Sequence, residues 1–563
     1  MQDATFKADR WKWWTAAVLS AGLLELPFPL AGPLPPWRSV FAWFGLVPLL
    51  WAILSSQENK PGKPLRRAFF ISYLCGVLWY AGNCYWVRDV MLQYGDMPPL
   101  APELLLLGFS LVLGTYFGLF GLAVALVRKA TKNNAIALVA APVFWVALEL
   151  AAARITSVPW DQLGYSQVDN ALLNQLAPWT GVYGISFLLV VVNALIASGL
   201  TLKTGAKKMI FAGLGIVAAI AGSAGLIVQS PHAATSATAV LIQPNLDVGG
   251  TGLWTDAAEW NRHIADFAKL ADEQCKTYIA GIPQTGAPSG EIACQPYPTH
   301  PDLVAWPESP APYFEGDQRF QQAVAQVAQG VNAPLVIGAI GMDYHPEAGW
   351  NEFNSAIVMS PTGARVGRYD KIHLVPFGEY VPFSRLLFFA RKLTGKVSRF
   401  NRGEDRTVFR LASQNGKSHR YGVFICYEAV FADEVRQFAQ MGAEVLVNIS
   451  DDAWYGDTSA PWQHLNMARM RAIENRRWIL RDTNNGVTAA IDPYGRVRQS
   501  IPRHVEDALP ARYGFRDDTT FYTEHGDVFA TLCAILGLVA AGWSGRKILS
   551  ESLGRNVKSK ARS

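Results

Sequence analysis

Residues 423–428 read Val-Phe-Ile-Cys-Tyr-Glu, and the second half of the chain is read outward from them. Three apolar residues suited to a strand end in a cysteine, and a helix-like segment follows. A cysteine on such a turn meets backbone N–H groups and the positive end of a helix dipole. Both lower a thiol pKa and can receive an oxyanion. The competing reading is a buried structural cysteine, common in strands. Two further stretches favour chemistry. Ala305-Trp-Pro-Glu-Ser309 sets Glu308 after another apolar run. Tyr369-Asp-Lys-Ile-His-Leu-Val-Pro-Phe-Gly-Glu379 sets Lys371 close to Ile372, Leu374 and Val375, an unusual place for a solvated charge. Thiol, carboxylate and ammonium together make an acyl-transfer set of nucleophile, proton shuttle and oxyanion donor. Taken singly, Glu308 reads equally well as a helix-start carboxylate and Lys371 as a surface lysine.

Around these stretches the chain alternates between strand and helix patterns. Ala239–Gln243, Leu303–Trp306, Leu335–Ile340, Tyr421–Cys426 and Glu444–Ile449 are short apolar runs bounded by turn residues. Asp317–Gln329 and Trp462–Asn475 read as helices, and Asp492–Gly495 as a turn between two strands. The region is an α/β or α+β unit. Outside it the chain changes character. Eight apolar runs are candidate membrane spans: Trp13–Leu30, Val40–Leu54, Ala68–Val87, Leu104–Val127, Ala135–Ala153, Gly181–Leu202, Met209–Val228 and Val528–Trp543. The first is read as a retained anchor, not a cleaved signal peptide.

Composition agrees with a membrane enzyme. Of the 563 residues 50% are hydrophobic and 17% charged, against about 25% charged in a soluble domain. That excludes a disordered chain and a basic nucleic-acid arm. Six cysteines exclude a disulfide scaffold, and no Cys/His cluster has zinc-like spacing, so no metal is expected. Lysines and arginines gather in alternate segments: Lys7, Arg10 and Lys12, then Lys60 to Arg67, Arg128 to Lys132, Lys203 to Lys208, and the stretch after Arg546. The opposite short loops hold Arg38, Arg88 and Arg154. The positive-inside rule then sets both termini in the cytoplasm and the large domain outside. Glu25, Arg88, Glu149, Arg154 and Asp161, near the outer ends of spans, are candidates for lipid or domain contacts. Residues wetted by head groups are the plainer reading.

Trp306–Glu308 (WPE), Tyr369–Pro382 (YDKIHLVPFGEYVP) and Phe424–Glu428 (FICYE) resemble the nitrilase superfamily. With Asn448–Arg477, Thr483–Val487 and the flanking spans, the chain resembles the apolipoprotein N-acyltransferase family. The resemblance implies a multi-domain protein: an eight-helix transmembrane bundle plus an α/β nitrilase-like αββα sandwich. The expected division is seven spans in 1–230, a catalytic domain in 238–520, an eighth span in 526–548 and a cytoplasmic tail in 549–563. It implies Glu308 as general base, Lys371 as oxyanion lysine and Cys426 as nucleophile. Glu379, Tyr427 and Glu428 fall in supporting positions, Trp254 and Trp454 in substrate-binding ones. Asp451 and Tyr455 depart from the family's usual NDAWFGD.

The activity implied is transfer of a fatty acyl chain from a phospholipid to the free α-amine of an apolipoprotein's N-terminal diacylglyceryl-cysteine. It runs by a ping-pong thioester, as the last step of lipoprotein maturation. No cofactor and no nucleic acid are implied, and a monomer in the inner membrane with a periplasmic catalytic domain is expected. A membrane-tethered amidase acting on a small amide would use the same three groups. A transporter with a binding domain is the reading from another class, and the spans lack the repeated halves it would need. Cys275 and Cys294, in a Pro- and Gly-rich stretch, could pair outside the cytoplasm.

Overall fold

Strand-forming residues of the second half assemble into two six-stranded sheets. This is a computed structural model. It describes residues 2–56, 64–95, 97–98, 100–202, 205–246, 248, 257–274, 295–296, 300–308, 313–346, 349–376, 378–380 and 400–560. The chain divides into two units: residues 1–88, 100–229 and 527–563, and residues 89–99 with 230–526.

The second unit holds strands β1 (Ala237–Gln243), β2 (Glu273–Gln274), β3 (Gln295–Pro296), β4 (Leu303–Ala305), β5 (Leu335–His345), β6 (Gly349–Met359), β7 (Arg365–Asp370), β8 (Val408–Ala412), β9 (Ser418–Ile425), β10 (Val445–Ser450), β11 (Ile479–Thr483), β12 (Ala489–Ile491), β13 (Val497–Ser500) and β14 (Asp507–Tyr513). One sheet runs β14-β1-β4-β5-β6-β7 and the other β13-β12-β11-β10-β9-β8; β2 and β3 pair separately. β1, β4 and β5 are parallel, as are β9, β10 and β11. Parallel strands are covered on both faces, which is why their sequences are continuous apolar runs. Every residue of β10 and β11 is buried.

Helices Ala257–Asp272 and Gln318–Val331 cover the first sheet. Their Trp260, Ile264, Phe267, Phe320 and Val324 share a core with Val240, Val304 and Ile337. Ala432–Gln440 and Ala460–Asn475 belong to the second sheet's side, where Phe438 presses close to Gly422 of β9. Tyr421 of β9 and Tyr513 of β14 share a hydroxyl hydrogen bond of 2.8 Å, so the sheets face one another. The result is the αββα layering of the nitrilase-like fold.

The first unit is helical. Six helices among the described residues are long and apolar enough to span a membrane: Pro36–Ser55, Ala101–Thr131, Asn134–Ile155, Val182–Thr201, Lys207–Leu226 and Val528–Leu553. The first and third expected spans fall on helices Gln2–Glu25 and Pro64–Asn83. These are not among the six: Asp3, Lys7, Asp9, Arg10 and Lys12 dilute one, Arg66 and Arg67 the other. Gly114, Gly118 and Gly121 let Ala101–Thr131 lie against Pro64–Asn83. A Cβ at Gly121 would collide with Ser72, and one at Gly114 would come within 2.9 Å of the Val77 backbone. Small residues at such crossings let membrane helices pack closely. The last helix continues through Lys560, into residues read from sequence as a tail.

Candidate active site

The site lies where parallel strands end, the usual place for ligands in open α/β sheets. Glu308 follows β4, Lys371 follows β7 and Cys426 follows β9. The Lys371 ammonium donates to Glu308 Oε1 and to Glu379 Oε1, each at 2.9 Å. The Asn354 amide nitrogen, from β6, bridges the same two oxygens at 2.7 Å each. Glu308 Oε2 accepts from the Asp451 backbone N–H at 2.9 Å, and Glu379 Oε2 from that of Val375 at 2.7 Å. All four carboxylate oxygens are therefore engaged. Lys371 is 1% exposed and Glu308 7%. An ammonium has three hydrogens, so one is left over from these two bonds, and Cys426 is close enough to act on the lysine's charge.

Charge follows this wiring. Burial pushes Glu308 up, but Lys371 and hydrogen bonds from Lys371, Asn354 and Cys426 outweigh it, and the carboxyl sits below its usual value. Burial pulls Lys371 down, yet Glu308, Glu379 and Cys426 raise it well above an ordinary lysine. Cys426 corrects the sequence reading. Its thiol is raised well above the ordinary value, first by burial and then by Glu308, with Lys371 and a hydrogen bond from Ser450 only partly opposing. The expected acidifying helix is a 3-10 turn of five residues, too short to carry a strong dipole. The resting proton belongs to sulfur, and its removal needs a base.

Glu428 holds the turn. One oxygen accepts from the Ile425 N–H at 2.7 Å. The other accepts from the N–H groups of Ile372 (2.7 Å) and His373 (3.1 Å) and from the Tyr369 hydroxyl (2.8 Å). One buried side chain thus ties the chain beside Lys371 to the chain beside Cys426. Cys426 has φ +50°, left-handed backbone that costs a non-glycine residue about 1–3 kcal/mol. His464 helps hold it: its Nε2 lies 3.0 Å from the Cys426 carbonyl, which can only accept, so that nitrogen donates. Its Nδ1 meets Arg481 at 3.1 Å and Asp452 at 3.0 Å, and Arg481 pairs with Asp452 at 2.6 Å.

Of the other sequence-derived residues, Tyr427 is buried edge-on against Phe431 at 5.3 Å. Trp454 is 43% exposed, its ring edge-on to Tyr94 at 5.0 Å, and the Tyr94 hydroxyl bonds the Ala453 carbonyl at 3.1 Å. Trp454 does not join the Glu308–Lys371–Cys426 cluster; it borders the loop next to it. Trp254, Cys275 and Cys294 lie outside the described residues. Asn354 and the Asp452–His464–Arg481 set were missed from sequence. Only Arg481, in the fully buried strand Ile479–Thr483, carried a signal; Asn354, Asp452 and His464 lie in stretches already rich in polar residues.

The chain matches two family models: one described as the apolipoprotein N-acyltransferase N-terminal domain over residues 20–195, the other as carbon-nitrogen hydrolase over residues 239–511. It is similar to an apolipoprotein N-acyltransferase of Geobacter metallireducens, 33% identical over 542 residues, covering 94% of this chain and 95% of that one. One of Agrobacterium fabrum is 30% identical over 519 residues, covering 90% and 92%. Among solved structures, a nitrilase-superfamily protein of Saccharomyces cerevisiae is 16% identical with a TM-score of 0.32, covering 54% of this chain and 97% of that one.

Proposed function

The chain belongs to the apolipoprotein N-acyltransferase family, and on that premise we propose that Cys426, Glu308 and Lys371 carry its acyl transfer. The observation that supports this most is the ammonium of Lys371 held between two carboxylates, one of which receives the hydrogen bond of Cys426.

In the first half-reaction Glu308 takes the Cys426 proton as sulfur attacks a phospholipid ester carbonyl. The carbonyl oxygen becomes an oxyanion, met by the third hydrogen of Lys371. The C–O bond then breaks, Glu308 returns the proton to the leaving lysophospholipid alcohol, and a thioester remains on Cys426. In the second half-reaction the neutral α-amine of a diacylglyceryl-cysteine attacks the thioester. Glu308 takes a proton from nitrogen and gives it to the departing sulfur, and an amide is formed. A carboxylate below its usual pKa is a weak base toward a raised thiol. The transfer becomes favourable only as the oxyanion draws on the Lys371 charge, so this interaction strengthens in the transition state. Glu379 and Asn354 position the ammonium, and Glu428 positions the two segments. Trp254 and Trp454 are assigned to substrate contact. One chain carries the whole cluster, so a monomer suffices, and no step calls on a cofactor.

The eight-span reading, the 1–230, 238–520, 526–548 and 549–563 division, an inner-membrane location and a periplasmic catalytic domain belong to the same proposal. The alternation of basic loops supports them. The amidase alternative is not favoured, because curated relatives matching nine-tenths of the chain are transferases by name. Glu308→Gln tests the chemistry: thioester formation on folded protein should fall at least about 10²-fold. Acylation within a few-fold of the parent removes Glu308 from the base role. Labelling of Ser563→Cys by an impermeant reagent in intact spheroplasts would overturn the topology.

A further inference from the structure

Inside the helical unit is a cavity walled by Trp79, Tyr80, Phe117, Trp145 and Trp160, with two carboxylates in its lining, Glu149 and Asp161. Asp161 is 1% exposed; its Oδ2 accepts from Asn83 at 2.9 Å, while Oδ1 is buried without a partner. Glu149 Oε1 accepts from the Trp145 indole (2.8 Å), the Leu163 N–H (2.9 Å) and the Ser186 hydroxyl (3.1 Å), and its Oε2 is likewise buried and unpartnered. Arg88 pairs with Glu103, Arg154 with Asp527, and Arg38 donates to the Phe28 carbonyl. Among the described residues no ion pair reaches Glu149 or Asp161.

An uncompensated carboxylate in an apolar membrane site is costly, and intramembrane acids usually face a partner. The group these oxygens suit is a cation small enough to enter a cage of aromatic rings. Aromatic faces attract an ammonium, and a free carboxylate oxygen accepts from it. A metal would find only two carboxylates and few other oxygens here. We propose that this cavity binds the ammonium group of a membrane-anchored lipid, with Asp161 and Glu149 as its counter-charges. Two sources share that chemistry: an ethanolamine-type phospholipid head group, and the α-ammonium of a diacylglyceryl peptide. The proposal rests on the reading that this enzyme handles both lipids.

The test uses full-length Cys426→Ala protein, which cannot turn over, in nanodiscs containing equal phosphatidylethanolamine and phosphatidylglycerol. Native mass spectrometry should find phosphatidylethanolamine retained in about tenfold excess, a difference near 1.4 kcal/mol. The added pair Asp161→Asn and Glu149→Gln should reduce the excess to within about twofold. A second arm compares a diacylglyceryl-cysteinyl peptide with its N-acetylated form. Loss of amine preference in the first arm names the head group, and in the second the acceptor; unchanged preference in both overturns the proposal. The Tm in detergent without either lipid guards against misfolding. Removing uncompensated charge should leave the Tm of the pair variant equal or higher, and a marked fall would make the carboxylates structural and also overturn the proposal. Thioester formation is scored separately on the parent protein. Its absence breaks the catalytic reading and leaves the ammonium site standing.

Discussion

Two pairs of buried carboxylates sit in the two units of this chain, and they differ in one component. In the catalytic unit Glu308 and Glu379 enclose the Lys371 ammonium, and every oxygen of the pair has a partner. In the helical unit Glu149 and Asp161 each keep one buried oxygen unmatched, and among the described residues no side-chain cation pairs with either. The first pair is a finished electrostatic device whose purpose is to aim one remaining hydrogen. The second is finished only by something that arrives. Buried acids alone therefore do not identify a catalytic site; what compensates them does.

Lys371→Ala should break the comparison most severely, because it converts the catalytic pair into the unmatched kind. Breaking a buried pair costs about 3–5 kcal/mol of stability, and loss of a positioned oxyanion donor costs about 10²–10³ in rate. Lys371→Arg should also lose activity, since the longer planar guanidinium cannot occupy one point between two carboxylates. Near-normal thioester formation by the arginine variant would reduce Lys371 to a diffuse positive charge. Glu308 and Glu379 can next be set against each other. Both hold the ammonium, and Cys426 hydrogen-bonds Glu308. Glu308→Gln should lose at least about 10² in acylation rate per folded molecule, whereas Glu379→Gln should lose distinctly less. Equal losses would mean that both act only by positioning Lys371.

The smallest effect concerns Asp451. Burial, then the Glu308 charge, push this carboxyl well above its ordinary value, so the folded protein holds a proton there that the unfolded chain releases. A group raised on folding contributes stability that is full below its unfolded pKa and lost as pH rises through the folded one. Asp451→Asn should therefore raise Tm more at about pH 8 than at about pH 5. An increment independent of pH would show Asp451 to be ionised in the fold. A protonated aspartate is neutral and has nearly the shape of the asparagine usual in NDAWFGD, with one donor in place of the amide's two, which explains why the departure is tolerated.

Much of this was legible beforehand. Leu303–Ala305, Val445–Ser450 and the strand before Cys426 were visible because strands buried on both faces must be apolar throughout. Glu308, Lys371 and Cys426 were visible because each ends or follows such a run. β6 and β7 were not, since Trp350–Phe353 and Arg365–Arg368 alternate with polar residues on partly exposed strands. The thiol's charge state was misread because it depends on burial and on Glu308, 118 positions earlier in the sequence, and not on the local turn. Asn354 and His464 carry no local pattern; their roles exist only once β6 and Ala460–Asn475 converge on the site. The short span Val40–Leu54 gained length from a preceding 3-10 turn that hydropathy alone does not register.

The central claim is that Cys426 stores the acyl chain. It is tested by intact-mass measurement of the full-length protein after incubation with a phospholipid of defined chain length and no acceptor. The parent should gain the mass of one acyl group, located by peptide mapping to Cys426, released by neutral hydroxylamine and discharged by a diacylglyceryl peptide with a free amine. Cys426→Ala should gain nothing. An adduct of the same mass on the alanine variant, or turnover in the parent with no thioester at Cys426 even when acceptor is withheld, would contradict the account.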